Sequence, residues 1–317
     1  MIFCPLLDPW RTLAVLALEA GVGYPDRLHR LLPHPVVWAG RGIASLERQW
    51  NLPQWPAALR RLLGVATLIL IAGPAAAIGL LIDHWAEHSI WLVLVTILIG
   101  TTGLAQRSLY AHVAAIRDAL RADDLPRARI AVGHIVGRDV QVLDVHGVAA
   151  AALESLAESF CDGIVAPAFW LLLGGLGGLF AYKAVNTADS LIGHREPRWR
   201  AFGWAAARTD DVMNLIPARL AGGLLAVAGR GGWRIMLRDA KKHDSPNAGW
   251  PEAAMAGGLG IRLGGAVAYD GVMHPRPWFG DGKQPDAADL DRGLRIYVGA
   301  CLLLWAVLAA GGFAWRN

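Results

Sequence analysis

Between Leu62 and Ile82 the chain runs for 21 residues without a charged side chain. As a helix such a run is long enough to cross a hydrocarbon core of about 30 Å. Four more apolar runs follow. Ile90–Ala105 is slightly short. Gly163–Tyr182 and Val212–Gly229 are glycine-rich, the second interrupted by Pro217 and Arg219. Ile296–Trp315 ends in Trp315 and Arg316, an expected interfacial anchor. Leu13–Val22 is too short to span and reads as a buried or interfacial helix. The chain is 55% hydrophobic with a mean hydropathy of +0.37, too apolar for an ordinary soluble domain. Of its 14 tryptophans, Trp85, Trp91, Trp233 and Trp315 stand near run ends, as in an aromatic belt. No basic region precedes the first apolar run, so a cleaved signal peptide is not expected.

These runs predict an all-α, polytopic integral membrane protein. It has about five hydrophobic helices, some broken or re-entrant, with helical cytoplasmic loops. Nothing in the composition marks a second domain. Residues 1–317 form one membrane domain: an N-terminal cytoplasmic or interfacial segment (1–61), a helical hairpin (62–105), a motif-bearing core (106–293) and a C-terminal helix (294–317).

Arginine and lysine set the orientation. The connector Asp83–Ser89 has neither, whereas Met1–Arg61 carries seven arginines and Arg107–Asp162 six. The first hairpin therefore dips outward from a cytoplasmic N-terminus, in a plasma (inner) membrane with cytoplasmic active-site loops. Lys183–Asp211 resists this scheme: it carries Lys183, Arg195, Arg198, Arg200 and Arg208, yet simple alternation places it outside. A broken or re-entrant helix in one glycine-rich run removes the conflict, because non-helical backbone is tolerated at membrane depth where protein buries it. The net charge of +4 reflects the same bias rather than a nucleic-acid footprint. Cys4, Cys161 and Cys301 are scattered and form no disulfide or metal framework.

Four constellations are dense enough to carry chemistry. Residues 243–257 read HDSPNAGWPEAAMAG. Pro246 and Pro251 stop regular structure from running through the first half, while Pro251 and Glu252 suit the first turn of a helix. A loop opening a helix and carrying His243, Asp244, Ser245, Asn247 and Glu252 suits an anion or polar ligand; the plain alternative is a capped polar turn. Glu154, Glu158 and Asp162 recur every four residues along one helical face, where like charges repel. A cation should compensate them, Mg²⁺ or arginine, unless they form a solvated face. In YKAVNTADSLIGHR, Lys183, Asn186 or Thr187, and Ser190 share helical spacing, with Asp189 beside them; snorkelling explains Lys183 alone. In FGWAAARTDDVMNLIPARL, Arg208, Asp210, Asp211, Asn214 and Arg219 stand at the mouth of an apolar run, where such groups are costly unless paired or liganded. His84 and His88 have metal-ligand spacing but no third ligand, and no phosphate-binding loop or nucleophile elbow is present.

These stretches, with GRDVQVLDVHGVAAAALESLAESFCDGIVAPAFW and HPVVWAGRGIASLE, resemble the motifs of adenosylcobinamide-phosphate synthase, the CobD/CbiB family of cobalamin biosynthesis. The likeness runs from about Pro33 to about Gly265. One departure is Gly23-Tyr24-Pro25, where the family pattern has an acidic residue near GDP. The resemblance implies a carbon-nitrogen ligase that joins (R)-1-amino-2-propanol O-phosphate, or aminopropanol, to a propionate of adenosylcobyric acid through an amide bond. It also implies Mg²⁺ and ATP as cofactors, the lipid bilayer as surroundings, and other cobalamin-pathway enzymes or a homo-oligomer as partners. Activating a carboxylate needs cations for phosphates and carboxylates for Mg²⁺. On this footing Glu158, Lys183, Glu252 and His243 are catalytic candidates, Glu252 or His243 as the base for the incoming ammonium. Asn186, Asp189, Ser190, Arg208, Asn214, Arg219, Ser245 and Asn247 bind substrate. Glu154, Glu158, Asp162, Asp210 and Asp211 hold the metal.

A membrane permease and a non-catalytic scaffold for a corrinoid pathway are the rival classes; the inverted repeats of a permease are not found in this sequence. The orientation is directly testable. A cysteine at Ser89 is expected to react with an impermeant thiol reagent in intact cells, and one at Asp124 to be protected. The opposite labelling pattern would invert the scheme.

Overall fold

The computed structural model describes residues 7–23, 34–269 and 271–316, apart from the side chains of residues 269, 315 and 316. Cys4, Tyr24, Pro25, Pro33 and the side-chain anchor Trp315–Arg316 lie outside the described residues. The fold is helical, with two short antiparallel strand pairs as its only sheet among the described residues. Four stretches are long and apolar enough to cross a membrane: Ala57–Ala86, Ile90–Arg121, Val145–Ile192 and Ala287–Ala314. Trp204–Met213 with Leu215–Ala228 adds a fifth if the pair counts as one. The chain divides into two compact units, Met1–Ala105 with Ala166–Asn214 and Leu308–Asn317, and Gln106–Val165 with Leu215–Val307.

The first unit contains α1 (Pro9–Val22), α2 (Pro35–Trp50), α3 (Ala57–Ala86) and α4 (Ile90–Gly100). Asp8 caps α1 by accepting from the amides of Trp10 at 3.0 Å and Arg11 at 3.1 Å, and Pro9 opens the helix where a missing N–H costs nothing. The short run that contains Leu16 is a buried helix, as expected: Val15 and Leu16 are fully buried. Its Arg11 pairs with Asp83 near the end of α3. The start of α1 therefore lies at the Asp83–Ser89 end of α3, and α1 packs within the first unit.

The run Gly163–Tyr182 is broken, as the charge argument requires. Within α8 (Ala166–Ile192) the backbone leaves helical geometry at Gly174 and at Gly175, whose φ of +59° suits glycine. Asp83 Oδ2 accepts the freed Leu176 amide at 2.6 Å and restarts the helix. Gly79 and the Leu176–Gly177 backbone touch so closely that a Cβ on Gly79 would sit 2.5 Å from it, the small-residue contact by which membrane helices approach. The following connector returns to the start of α3. Asn51 Nδ2 donates to the Arg198 carbonyl at 3.1 Å, Arg60 bonds the same oxygen, and Gly64 lies against the Phe202 carbonyl. The basic segments around Arg60 and Arg198 thus share one end of α3, and the connector without lysine or arginine occupies the other. α9 (Trp204–Met213) completes the unit, with Ile43, Ala188, Ile192, Phe202 and Ala206 as a buried cluster.

The second unit contains α5 (Gln106–Arg121), α6 (Leu125–Gly133), α7 (Val145–Phe160), α10 (Leu215–Ala228), α11 (Trp233–Asp239), α12 (Gly249–Leu259) and most of α13 (Ala287–Arg316). Strands β1 (Leu263–Gly264) and β4 (Trp278–Phe279) pair, as do β2 (Val267–Tyr269) and β3 (Val272–His274). Two sequence expectations change here. A π turn over Cys161–Val165 follows α7, so Asp162 lies in a different helical winding from Glu154 and Glu158. The run Val212–Gly229 is not one helix either: α9 stops at Asn214 and α10 begins at Leu215. Pro217 therefore sits in a first turn and breaks no interior hydrogen bond.

Breaking the Arg11–Asp83 pair should unfold the first unit more readily than removing both charges. Asp83→Asn removes the charge that the buried Arg11 guanidinium meets, a loss of about 3–5 kcal/mol. Arg11→Met with Asp83→Asn is expected to recover most of the melting temperature in detergent. A double variant no more stable than Asp83→Asn would contradict this account.

Candidate functional site

The candidate residues fall into two polar clusters, one in each unit. In the second unit the loop 243–248 leads into α12, which begins at Gly249 with Pro251 and Glu252 in its first turn. Ser245 shapes the loop: its Oγ accepts the amides of Asn247 at 3.2 Å and Ala248 at 3.3 Å. Its oxygen is thus committed to the helix start, as a serine cap is. Arg219 on α10 braces the same loop. It donates to the Leu215 carbonyl at 2.6 Å and to Asn247 Oδ1 at 3.4 Å, and its guanidinium lies 4.7 Å from the Trp250 ring centroid.

Behind the loop lies a charge cluster. Glu154, 2% exposed, pairs with Arg138, approaches Arg276 Nη1 at 3.4 Å, and accepts the Gly264 amide at 2.7 Å. Arginine is the compensating cation at this carboxylate. Gly264 presents that amide with φ at +88°, and a Cβ there would fall 2.2 Å from the Pro277 carbonyl. Glu252, 1% exposed, is treated differently. Its Oε2 accepts no hydrogen bond, although Arg276 Nη2 stands 3.5 Å away. Burial, then the charges of Glu154 and Glu158, push its carboxyl well above the usual range, against Arg276 and Arg138.

His243 Nδ1 accepts the Ser245 amide at 2.8 Å, so in the neutral ring the proton sits on Nε2. That nitrogen is 3.6 Å from Glu252 Oε1 and 3.0 Å from Arg276 Nη2. Burial and the Arg276 charge lower the His243 pKa to about 4. At neutral pH His243 is uncharged, so its approach to Glu252 is a polar contact rather than an ion pair. The one lone pair of His243 is occupied by Ser245, which leaves Glu252 as the better of the two candidate bases. Glu158 is exposed and Asp162 half-buried.

In the first unit the YKAVNTADS and RTDDVMN motifs meet. Lys183 Nζ donates to Asn186 Oδ1 at 3.5 Å, Asn186 Nδ2 to Asp210 Oδ1 at 3.3 Å, and Asn214 Nδ2 to Asp210 Oδ2 at 3.0 Å. The Tyr182 hydroxyl donates to Asn214 Oδ1 at 3.1 Å. Asp211 pairs with Arg208 at 3.2 Å. Thr187 and Ser190 bond back to the helix carbonyls of Lys183 and Asn186, and the Asp189 carbonyl accepts the Gly193 amide at 2.7 Å.

The five carboxylates expected to share a metal thus divide, Glu154, Glu158 and Asp162 in one unit and Asp210 and Asp211 in the other. Among the described residues no three His, Cys, Asp or Glu side chains group as metal ligands. Two residues central to the geometry, Arg138 and Arg276, were not candidates. Arg138 lies in the GRDVQVL motif, and Arg276 stands between Pro275 and Pro277; both were visible as arginines in stiff, polar surroundings. Asp239 was missed as well. It is fully buried, bonded by Arg238, Lys242 and the Gly280 amide at 2.9 Å, which together hold its carboxyl far below the usual range.

His243 makes a pH prediction. Between its unfolded pKa of 6.5 and its folded value of about 4, the unfolded chain binds a proton that the folded chain does not. Stability therefore falls on acidification across that window, by up to about 3 kcal/mol. His243→Gln is expected to flatten this acid limb in detergent melts at pH 4 to 7. An unchanged limb would mean that His243 titrates normally.

The CobD/Cbib protein family matches residues 12–297. "Cobalamin biosynthesis protein CobD" of Rhodobacter capsulatus is 46% identical over 306 residues, covering 92% of this chain and 96% of the relative. The protein of that name from Brucella anthropi is 43% identical over 307 residues, 93% and 94% of the two chains. That from Geobacter metallireducens is 44% identical over 292 residues, 87% and 89% of the two. No solved structure matches. With a family match across most of its length and these relatives, the chain belongs to the CobD/CbiB family.

Proposed function

We propose that this protein acts in cobalamin biosynthesis as a membrane-embedded carbon-nitrogen ligase, joining aminopropanol phosphate to a propionate of adenosylcobyric acid. The observation that carries this reading is Glu252: a buried carboxyl with an oxygen lacking a hydrogen bond, at the start of a helix and beside two arginines. A group with a raised proton affinity is suited to take a proton from an incoming ammonium. The ammonium's own charge, arriving beside Glu154, Glu158 and Glu252, favours the ionised form of Glu252 and so readies it to accept. The family relatives carry cobalamin biosynthesis in their name, which supports the substrate class.

Taken by themselves, the residues of the first unit suit a phosphate-bearing ligand. Lys183 and Arg208 are the cations there. Asp210 and Asp211 are adjacent carboxylates, and Mg²⁺ carried on substrate phosphates needs only one or two. The donor set fits such a shared ion and not a closed protein cage. ATP, when bound, would supply the phosphoryl group that activates the propionate. The end of α3 that holds Arg60 and the Arg198 connector is the proposed cytoplasmic end, in the inner membrane.

Purified protein with adenosylcobyric acid, aminopropanol phosphate and Mg-ATP should yield adenosylcobinamide phosphate by mass. Glu252→Gln, nearly isosteric with the neutral acid, should lose about 10²-fold or more in rate while keeping the wild-type melting temperature. Full activity in that variant would remove Glu252 from the chemistry, and no product from the wild type would return the choice to a permease or scaffold.

A further inference from the structure

The corner between α10 and α11 holds more positive charge than its own residues neutralise. Residues 229–243 read GRGGWRIMLRDAKKH, five arginines and lysines against one carboxylate. Asp239 pairs with Arg238 and Lys242, and Arg238 pairs with Asp281 as well. Arg230, Arg234 and Lys241 are exposed, and among the described residues none of the three makes an ion pair. Arg230 is also held in a conformation that costs it something. The Gly231 amide donates to the Ala226 carbonyl and the Arg230 amide to the Val227 carbonyl, each at 3.0 Å, a helix ending whose left-handed position is normally glycine. Arginine occupies it here, with φ at +54°, although glycines stand on both sides. The same corner has an apolar side. Trp233 and Leu237, one turn apart on α11, are 45% and 64% exposed, while Met236 and Asp239 are buried. The Trp233 ring folds back along α10, its Cη2 3.5 Å from where a Cβ on Gly223 would sit, on the stripe that exposes Leu220 and Val227. Gly232 fixes the turn against α12, where a Cβ would fall 2.7 Å from the Ala254 carbonyl.

We propose that this corner binds an anionic phospholipid, with Arg230, Arg234 and Lys241 around the phosphodiester headgroup and Trp233 and Leu237 against the start of the acyl chains. Around α11 the buried face is followed by the exposed apolar pair and then by Arg234 and Arg238, the order of a helix lying in a membrane interface. The apolar stripe does not end at the corner: it continues along α10, the second half of the candidate broken span. Tryptophan is the side chain favoured where headgroups meet hydrocarbon, and guanidinium groups match phosphate oxygens. An acidic soluble protein would match the cations but not an apolar side that runs on into a membrane helix. The strained arginine fits the same role, because glycine would end α10 more easily and would bring no charge to the headgroup.

The full chain, reconstituted in nanodiscs of equimolar phosphatidylcholine and phosphatidylglycerol, provides the test. Native mass spectrometry after release should show phosphatidylglycerol retained in preference to phosphatidylcholine. Arg230→Gln, Arg234→Gln and Lys241→Gln should each lower that preference about fivefold, and the triple variant should lose it. Arg230→Gly separates the lipid role from folding. It removes the charge and relieves the left-handed strain, so it should melt above the wild type in phosphatidylcholine alone and yet gain less from phosphatidylglycerol. Equal retention of the two lipids by the wild type would leave the corner to an acidic protein partner and overturn the proposal. An undiminished preference in the triple variant would place the lipid elsewhere and overturn it too. Inorganic phosphate that raises the melting temperature of the wild type in phosphatidylcholine as much as phosphatidylglycerol does would make this a free-anion site, again against the proposal.

Discussion

Asp83 carries two obligations that the rest of the first unit depends on. One oxygen holds Arg11 of α1 and the other restarts α8 at Leu176. A carboxylate at this depth is costly by itself, and so is a helix start without partners for its amides. Placed together they answer each other: the negative charge meets a guanidinium and the positive end of a helix. The break at Gly174–Gly175 is stable because something fixed is waiting for the amide it frees. The consequence reaches the topology. A straight helix through Gly163–Tyr182 would carry the basic segment 183–211 to the wrong end. With the break, that segment comes back beside Asn51, Arg60 and Gly64, and the charge distribution becomes consistent along α3.

In the second unit the buried carboxylates are satisfied unequally. Asp239 and Glu154 are buried carboxylates with several donors each. Glu252 is as deeply buried, yet one of its oxygens has no hydrogen bond and its neighbours include two further carboxylates. Leaving a buried polar atom unsatisfied costs about 1–3 kcal/mol. This contrast with Glu154 and Asp239 is why Glu252 is the residue on which the proposed chemistry is placed.

What the sequence made legible was local. The apolar runs, the helix start at Pro251 and Glu252, and the shared face of Lys183, Asn186 and Ser190 all follow from spacing within a few turns. Even the need for a break was readable, because charge bias is a property of segments. What it did not show were contacts made over long separations. Arg138 and Arg276 reach Glu154 from 16 and 122 residues away, and no periodicity points at them. The π turn that holds Asp162 was hidden for a different reason: it is set by packing after α7, and a four-residue spacing cannot announce it. Ser245 stands in the loop as its position in the sequence requires, while Arg219, read with Asp210 and Asn214 at the mouth of an apolar run, reaches that loop from α10; their visible partners are loop and helix backbone, the Asn247 amide oxygen and an aromatic ring.

In the first unit the same reasoning reads a chain of neutral groups around one charge. Asp210 receives Asn186 and Asn214, and those amides are in turn fixed by Lys183 and by the Tyr182 hydroxyl. An amide used this way spends its N–H on the carboxylate and turns its oxygen outward to the next donor. The relay therefore fixes the orientation of each member, and Asn186 joins the Lys183 ammonium on one side to the Asp210 carboxylate on the other.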